Sequence, residues 1–149
     1  MIYHVTVHKD KKDCLLLIPN AKTDAGFSVG INKPTIMEYP YDNVSIGQKV
    51  KESLEICTKE PIYSSKDFVK VYEVVTGIKS FSKFSKDRLA LEVFMDTEKG
   101  FTVLPLVRHS DGSYRPNKET YPEIMFELST TNEELGNAIV DRFNLLNNG

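Results

Sequence analysis

Cysteine is scarce: Cys14 and Cys57 are the two in a chain of 149 residues, and they form no CxxC pair. That excludes a disulfide framework and leaves too few ligands for a structural zinc site. Two reduced, buried small hydrophobes are expected instead. Long apolar runs are missing as well, and a spanning helix needs about eighteen such residues. The stretch HKDKKD at 8–13 interrupts the first strand-like segment, which excludes a signal-peptide core there. No membrane association is expected, and a cytoplasmic location is. Glycine-rich phosphate loops and the GxSxG nucleophile turn do not occur, since Gly26 and Gly30 sit in GFSVG without the lysine of a phosphate loop.

An excess of charge of one sign is also lacking, with a formal net charge of −2. Its distribution is uneven, however. Residues 89–149 hold ten Asp/Glu against five Lys/Arg, whereas 66–88 hold six Lys/Arg against three Asp/Glu. An acidic second half disfavours nucleic acid, whose affinity rests on phosphate neutralisation. It suits a basic protein partner, and equally a merely solvated surface.

What is present is an ordinary globular composition, 40% hydrophobic and 27% charged, enough for one domain spanning 1–149. A faint internal repeat organises it. Residues 3–19 laid over 89–105 pair Val5 with Leu91, Val7 with Val93, Leu15 with Phe101, Leu17 with Val103 and Pro19 with Pro105. Further on, Met37 meets Phe126, and Ser45–Gly47 meets Glu134–Gly136. Two strand-strand-strand-helix units follow, at about 1–58 and 87–149, joined by a helical connector at about 65–86. The predicted class is α+β, an antiparallel sheet with packed helices.

Alternation at 2–8 sets Tyr3, Val5 and Val7 against His4, Thr6 and His8, the pattern of a half-buried strand. Strands are also expected at 14–18, between Gly26 and Gly30, around 34–39, at 88–94, at 101–107 and at 123–128. Pro105 predicts an edge or a bulge. Ser45 with Gln48, and Thr131 with Glu134, read as capping boxes opening two helices. Ile46, Val50, Leu54 and Cys57 mark the buried stripe of the first. Leu135, Ala138, Ile139, Phe143 and Leu146 mark that of the second. Between them, 58–64 with Pro61 reads as a linker. Phe68, Val71, Tyr72 and Val75 fit one face of a helix that Gly77 stops.

No residue set supports catalysis. His4 and His8 lie about 13 Å apart on a strand and cannot share a metal, so surface histidines are expected. His109 beside Ser110 and Asp111 is a turn. Asp96, Glu98, Lys99 and Gly100 form a charged hairpin turn, with Asp10, Lys11 and Lys12 at the equivalent place. Neither an enzyme nor a cofactor nor a bound metal is predicted. The segment 79–88 mixes Lys79, Lys83, Lys86 and Arg88 with Phe81 and Phe84, as single-strand nucleic-acid binders do. The two phenylalanines fit an anchor to the core better.

Gly77, Lys79 and Ser80, then Gly100, Phe101 and Pro105 of a strand, then the helix start Glu134, Leu135 and Gly136 together resemble the CdiI-type immunity proteins of contact-dependent growth inhibition systems. The resemblance covers about residues 70–149, and the first half in its order of elements. It implies an antidote that binds the C-terminal toxin domain of a surface-delivered effector, a nuclease of the kinds that include tRNases, and blocks its active site. It also implies structural roles for the matched residues: Gly100 and Gly136 in backbone packing, Phe101 in the core, Glu134 in the cap. The binding face is not carried by the motif. Exposed acids of the second half, Asp96, Glu98, Asp111, Glu119 and Glu123, are the expected toxin contacts, through electrostatic steering. The runner-up is a single-stranded nucleic-acid-binding module, and a structural domain is the third reading.

Overall fold

The structure, a computed structural model, describes residues 1–60 and 69–148. The part of the expected linker at 61–64, and Phe68 of the expected helical face, lie outside the described residues. The chain is α+β, as the periodicities predict. Its order is β1 (Ile2–Lys9), β2 (Leu15–Lys22), β3 (Ser28–Gly30), β4 (Thr35–Met37) and α1 (Asn43–Lys59). Two short helices follow, α2 (Val71–Thr76) and α3 (Phe81–Ser85). The second run is β5 (Leu89–Asp96), β6 (Gly100–Arg108), β7 (Tyr114–Arg115), β8 (Ile124–Phe126) and α4 (Asn132–Asn147).

One antiparallel sheet runs β3-β2-β1-β5-β6-β7, with β4 also on β2 and β8 also on β6. The two runs meet at its centre, where β1 pairs with β5. Val5 lies opposite Val93 and Val7 opposite Leu91, with Thr6 opposite Glu92 between them. These pairs map onto one another when the two runs are exchanged, so a local two-fold axis passes between Thr6 and Glu92. The flanks obey the same exchange. Leu15 faces Met37 as Phe101 faces Phe126, and Ala21 faces Val29 as Val107 faces Arg115.

Proline explains why each flank is made of two short pieces. A proline cannot donate to a ladder. Pro19 falls between Leu17, the last β2 residue on β4, and Asn20, the first on β3. Pro105 falls likewise between Val103, held by β8, and Val107, held by β7. Its other side lies opposite Leu91, so the expected edge position is a gap in the outer pairing.

Helices α1 and α4 cover one sheet face. Val5, Val7, Leu17, Leu91, Val93 and Val103 from the strands meet Ile46, Val50, Leu54, Leu135, Ile139 and Phe143 from the helices, almost all fully buried. Each such side chain contributes roughly 1.5–3 kcal/mol. The helices touch backbone to backbone near their starts. A Cβ on Gly47 would lie 2.0 Å from the Asn132 carbonyl oxygen, and one on Gly136 would lie 1.7 Å from that of Asn43. Only glycine permits that approach. Gly100 is the third such position, at φ +128 with Phe126 O 1.9 Å from a built Cβ.

The second capping box forms as read, with Thr131 Oγ1 accepting from the Glu134 amide and the Glu134 carboxylate accepting from the Thr131 amide. The first does not. α1 starts at Asn43, and Asp42 caps it by accepting from the Ser45 amide at 2.7 Å. Gln48 instead donates to Glu52 one turn on. Gly77 stops α2 as expected, in the left-handed region at φ +75 with its N–H on the Glu73 carbonyl.

Candidate functional site

The sheet's other face is where polar groups gather. Alternation along β1 sends His4, Thr6 and His8 there, β5 sends Ala90, Glu92 and Phe94, and β6 sends Leu104 and Leu106. Part of it is roofed by α2 and α3, whose Val71 and Phe84 pack on Leu16 and Ile18. The expected surface histidines are corrected here. His8 is 4% exposed, edge-on to Phe84 at 5.0 Å, and His4 is half-buried and stacked on Phe94 at 5.3 Å. A second layer covers what strand alternation alone reads as a solvent face.

The connector supplies that layer. Phe84 is fully buried and Phe81 is 37% exposed. The Arg88 guanidinium lies over the Phe84 ring at 4.4 Å and donates to its carbonyl. Arg108 donates to Ser85 Oγ and to the Ser82 carbonyl, while the Tyr114 hydroxyl donates to the carbonyls of Ser85 and Arg88. These bonds tie α3 to the hairpin of β6 and β7, so Phe84 and Arg88 anchor the segment and are not free to stack on bases.

Between this roof and the sheet lies a cavity of about 420 Å³. Thr6, His8, Asn20, Glu92 and Tyr114 bring polar groups to it, and Tyr72, Phe81, Ile18 and Leu106 bring apolar surface. Desolvation, with the charge of Arg88 adding to it, holds the His8 imidazole down to about 3, so it is neutral at physiological pH. Its Nδ1 has no hydrogen-bond partner. Burial pushes the Glu92 carboxyl up. No hydrogen bond or ion pair holds that carboxyl among the described residues. Desolvation likewise raises the Tyr114 phenol to about 12.

A second hollow, of about 550 Å³, opens at the far end of the sheet between β5, β6 and β8. It brings together Asp96 and Glu123 of the expected acidic set, beside Lys99, Lys118 and the exposed Met125. Glu123 pairs with Lys118 at 3.5 Å. The Asp96 carboxylate accepts from the Glu98 amide, which builds the turn and lowers its pKa. Glu98 is exposed on that turn, and Glu119 is exposed next to Lys118. Asp111 lies at the opposite end of β6, in the turn before β7. There its carboxylate accepts from the Ser113 amide and hydroxyl and pairs with Arg115 at 3.0 Å, bonds that hold its pKa down. The five acids therefore form no single patch: four share one end and the fifth serves a turn elsewhere. Sequence reasoning did not single out Glu92, although it is a lone carboxylate inside the apolar run of β5, and it set His8 aside as a surface histidine.

Among the described residues, no cluster of three His, Cys, Asp or Glu side chains could hold a metal ion. No hydrogen bond joins a histidine ring to a Ser, Thr or Cys side chain, so the arrangement of a base and its nucleophile is not assembled among those residues. Both cysteines are free thiols, with burial raising their pKa. No described helix is long and apolar enough to cross a membrane. What the surface offers is recesses on one sheet face, apolar with a few polar groups, in an α+β scaffold.

No known protein family matches the sequence, and no curated protein does. The fold does have solved counterparts. A protein of unknown function from Neisseria meningitidis superposes with a TM-score of 0.72 at 12% identity, covering 97% of this chain and 94% of that one. A chain of the CdiA-CT/CdiI toxin and immunity complex from Yersinia pseudotuberculosis superposes with a TM-score of 0.72 at 11% identity, covering 97% of each. At such identities the likeness establishes a shared fold.

Proposed function

We propose that this protein is an immunity protein that binds and neutralises the toxin domain of a contact-dependent growth inhibition effector. The observation that carries this reading is the end-to-end fold match to a chain of a toxin and immunity complex. It acts in the cytoplasm, by stoichiometric occlusion of the toxin's active site, without turnover. The toxin it fits is a nuclease, a class that includes enzymes cutting tRNA, because a cleft built to bind phosphates is basic and residues 89–149 are acidic. Asp96, Glu98, Glu119 and Glu123, at one end of the sheet, steer the encounter, while Asp111 contributes at a distance.

Co-expression with the cognate toxin domain is the direct test. Cells should survive the toxin when this chain is present, and the two proteins should co-purify in a one-to-one complex. Cell death at full expression of both, with no complex, would refute the proposal. A charge-reversal series at the acids should slow association at low salt more than it speeds dissociation. The nucleic-acid-binding alternative predicts tight binding of a short single-stranded oligonucleotide in fluorescence polarisation. The buried Phe84 and the acidic second half argue for none.

A further inference from the structure

An unpartnered carboxylate on the inner wall of a cavity needs a reason. Glu92 stands at the centre of the sheet opposite Thr6, half-buried, with no hydrogen bond or ion pair among the described residues. The fold does not require a carboxylate there. Exchange of the two halves carries Thr6 onto Glu92, so the first half fills the equivalent position with a small neutral side chain. Leaving a charge poorly solvated and unpaired costs stability, and such local violations concentrate at functional sites.

The surroundings suit a cation. His8 lines the same cavity, 4% exposed, and its Nδ1 is unbonded. Being neutral at physiological pH, it adds no opposing charge. Tyr72 and Phe81, edge to face at 5.3 Å, give the mouth an aromatic wall of the kind that attracts ammonium and guanidinium groups. Lys70 is exposed at the rim and no ion pair joins it to Glu92. The volume, about 420 Å³, lies within the range of sites that enclose a small group.

From this geometry we infer that the cavity is a receptor for one basic side chain, a guanidinium or ammonium, presented by the protein partner and paired with Glu92. This rests on the proposed reading that the partner is a basic toxin domain, and it adds an anchoring contact to the steering charges at the sheet's far end. In the complex the cation would supply the missing partner of the carboxylate, and the stem of its side chain would cover Leu106 and Ile18.

The test uses the full chain, isotopically labelled, and a probe that does not depend on any toxin. N-acetyl-arginine amide and N-acetyl-lysine amide are titrated against it, with the neutral isostere N-acetyl-citrulline amide as control. Saturable amide shifts at Thr6, His8, Asn20, Glu92 and Tyr114 are expected with the cations. They should weaken at least tenfold in E92Q and in E92T, the latter copying the residue across the axis. Shifts of equal size with citrulline, or shifts retained in both variants, would overturn the inference. A second arm measures the toxin domain: E92Q should lower its affinity tenfold or more through faster dissociation. If the wild type protects cells and E92Q binds the toxin as well as wild type does, the inference falls and the immunity reading stands. If the wild type gives no protection, the immunity reading falls while the arginine titration still decides the cavity.

Discussion

The contact between the starts of α1 and α4 can be turned into a quantitative experiment. In Gly136→Ala the new methyl would sit 1.7 Å from the Asn43 carbonyl oxygen, where an ordinary carbon–oxygen contact is about 3.3 Å or more. The helices must therefore part by about 1.6 Å, and backbone cannot swing aside as a flexible side chain can. Overpacking of this kind costs about 1–3 kcal/mol, and here the upper end applies. Alanine's better helix propensity returns about 1 kcal/mol. The net loss is about 2 kcal/mol, or roughly 4–8 °C in melting temperature for a chain of this size. Gly47→Ala should behave alike, its methyl lying 2.0 Å from the Asn132 oxygen. One separation of the helices relieves both clashes, so the double variant should cost less than the two singles together by about 0.5 kcal/mol or more. Urea unfolding of the four proteins measures this cycle. A stabilised Gly136→Ala, or strict additivity, would refute the two-site backbone contact.

Other consequences are as direct. Phe84→Ala should lose about 3–5 kcal/mol in urea unfolding and release the 79–86 segment, seen as faster amide exchange. Thr131→Ala should cost about 1 kcal/mol as one half of the capping box goes. His8 has a folded pKa near 3, below its unfolded value of 6.5, so its contribution is present above pH 6.5 and is lost as pH falls toward 3. Stability should drop by about 1.4 kcal/mol per pH unit in that window, and His8→Gln should remove that slope. Glu92 has the opposite sign: its folded pKa is raised, so its burden appears as pH rises through that value. Glu92→Gln should thus be more stable than wild type at pH 7 in urea unfolding. A destabilised variant at pH 7 would contradict the unpaired carboxylate.

Much of this scaffold was readable in the chain because its signals are local. Alternation in β1, the helical stripes of α1 and α4, Gly77 and the Thr131 and Glu134 pair each act through near neighbours. The repeat matched equivalent positions, Leu15 with Phe101 and Met37 with Phe126, but the pairing of Leu15 with Met37 and of Phe101 with Phe126 came from the structure. Failures came where distant contacts decide. Ser45 and Gln48 match the capping-box pattern, so the true cap of α1, Asp42, was passed over. β7 has two residues, too few to show a period. The burial of His8 depends on α2 and α3 folding back over the sheet, which the strand itself does not encode. The acids were grouped by sequence and charge, yet β6, at about 3.3 Å per residue, carries Asp96 and Asp111 to opposite ends of the sheet.

Pro19 and Pro105 have one more effect. Because each outer flank is cut into pieces of two or three residues, neither margin of the sheet presents an unbroken line of free amides and carbonyls. An extended foreign chain gains too few hydrogen bonds there to dock as an additional strand. The same interruption disfavours edge-to-edge pairing with its own copies, and under the proposed function it leaves recognition to side chains on the faces and loops, where it can be changed one residue at a time without disturbing the ladder beneath.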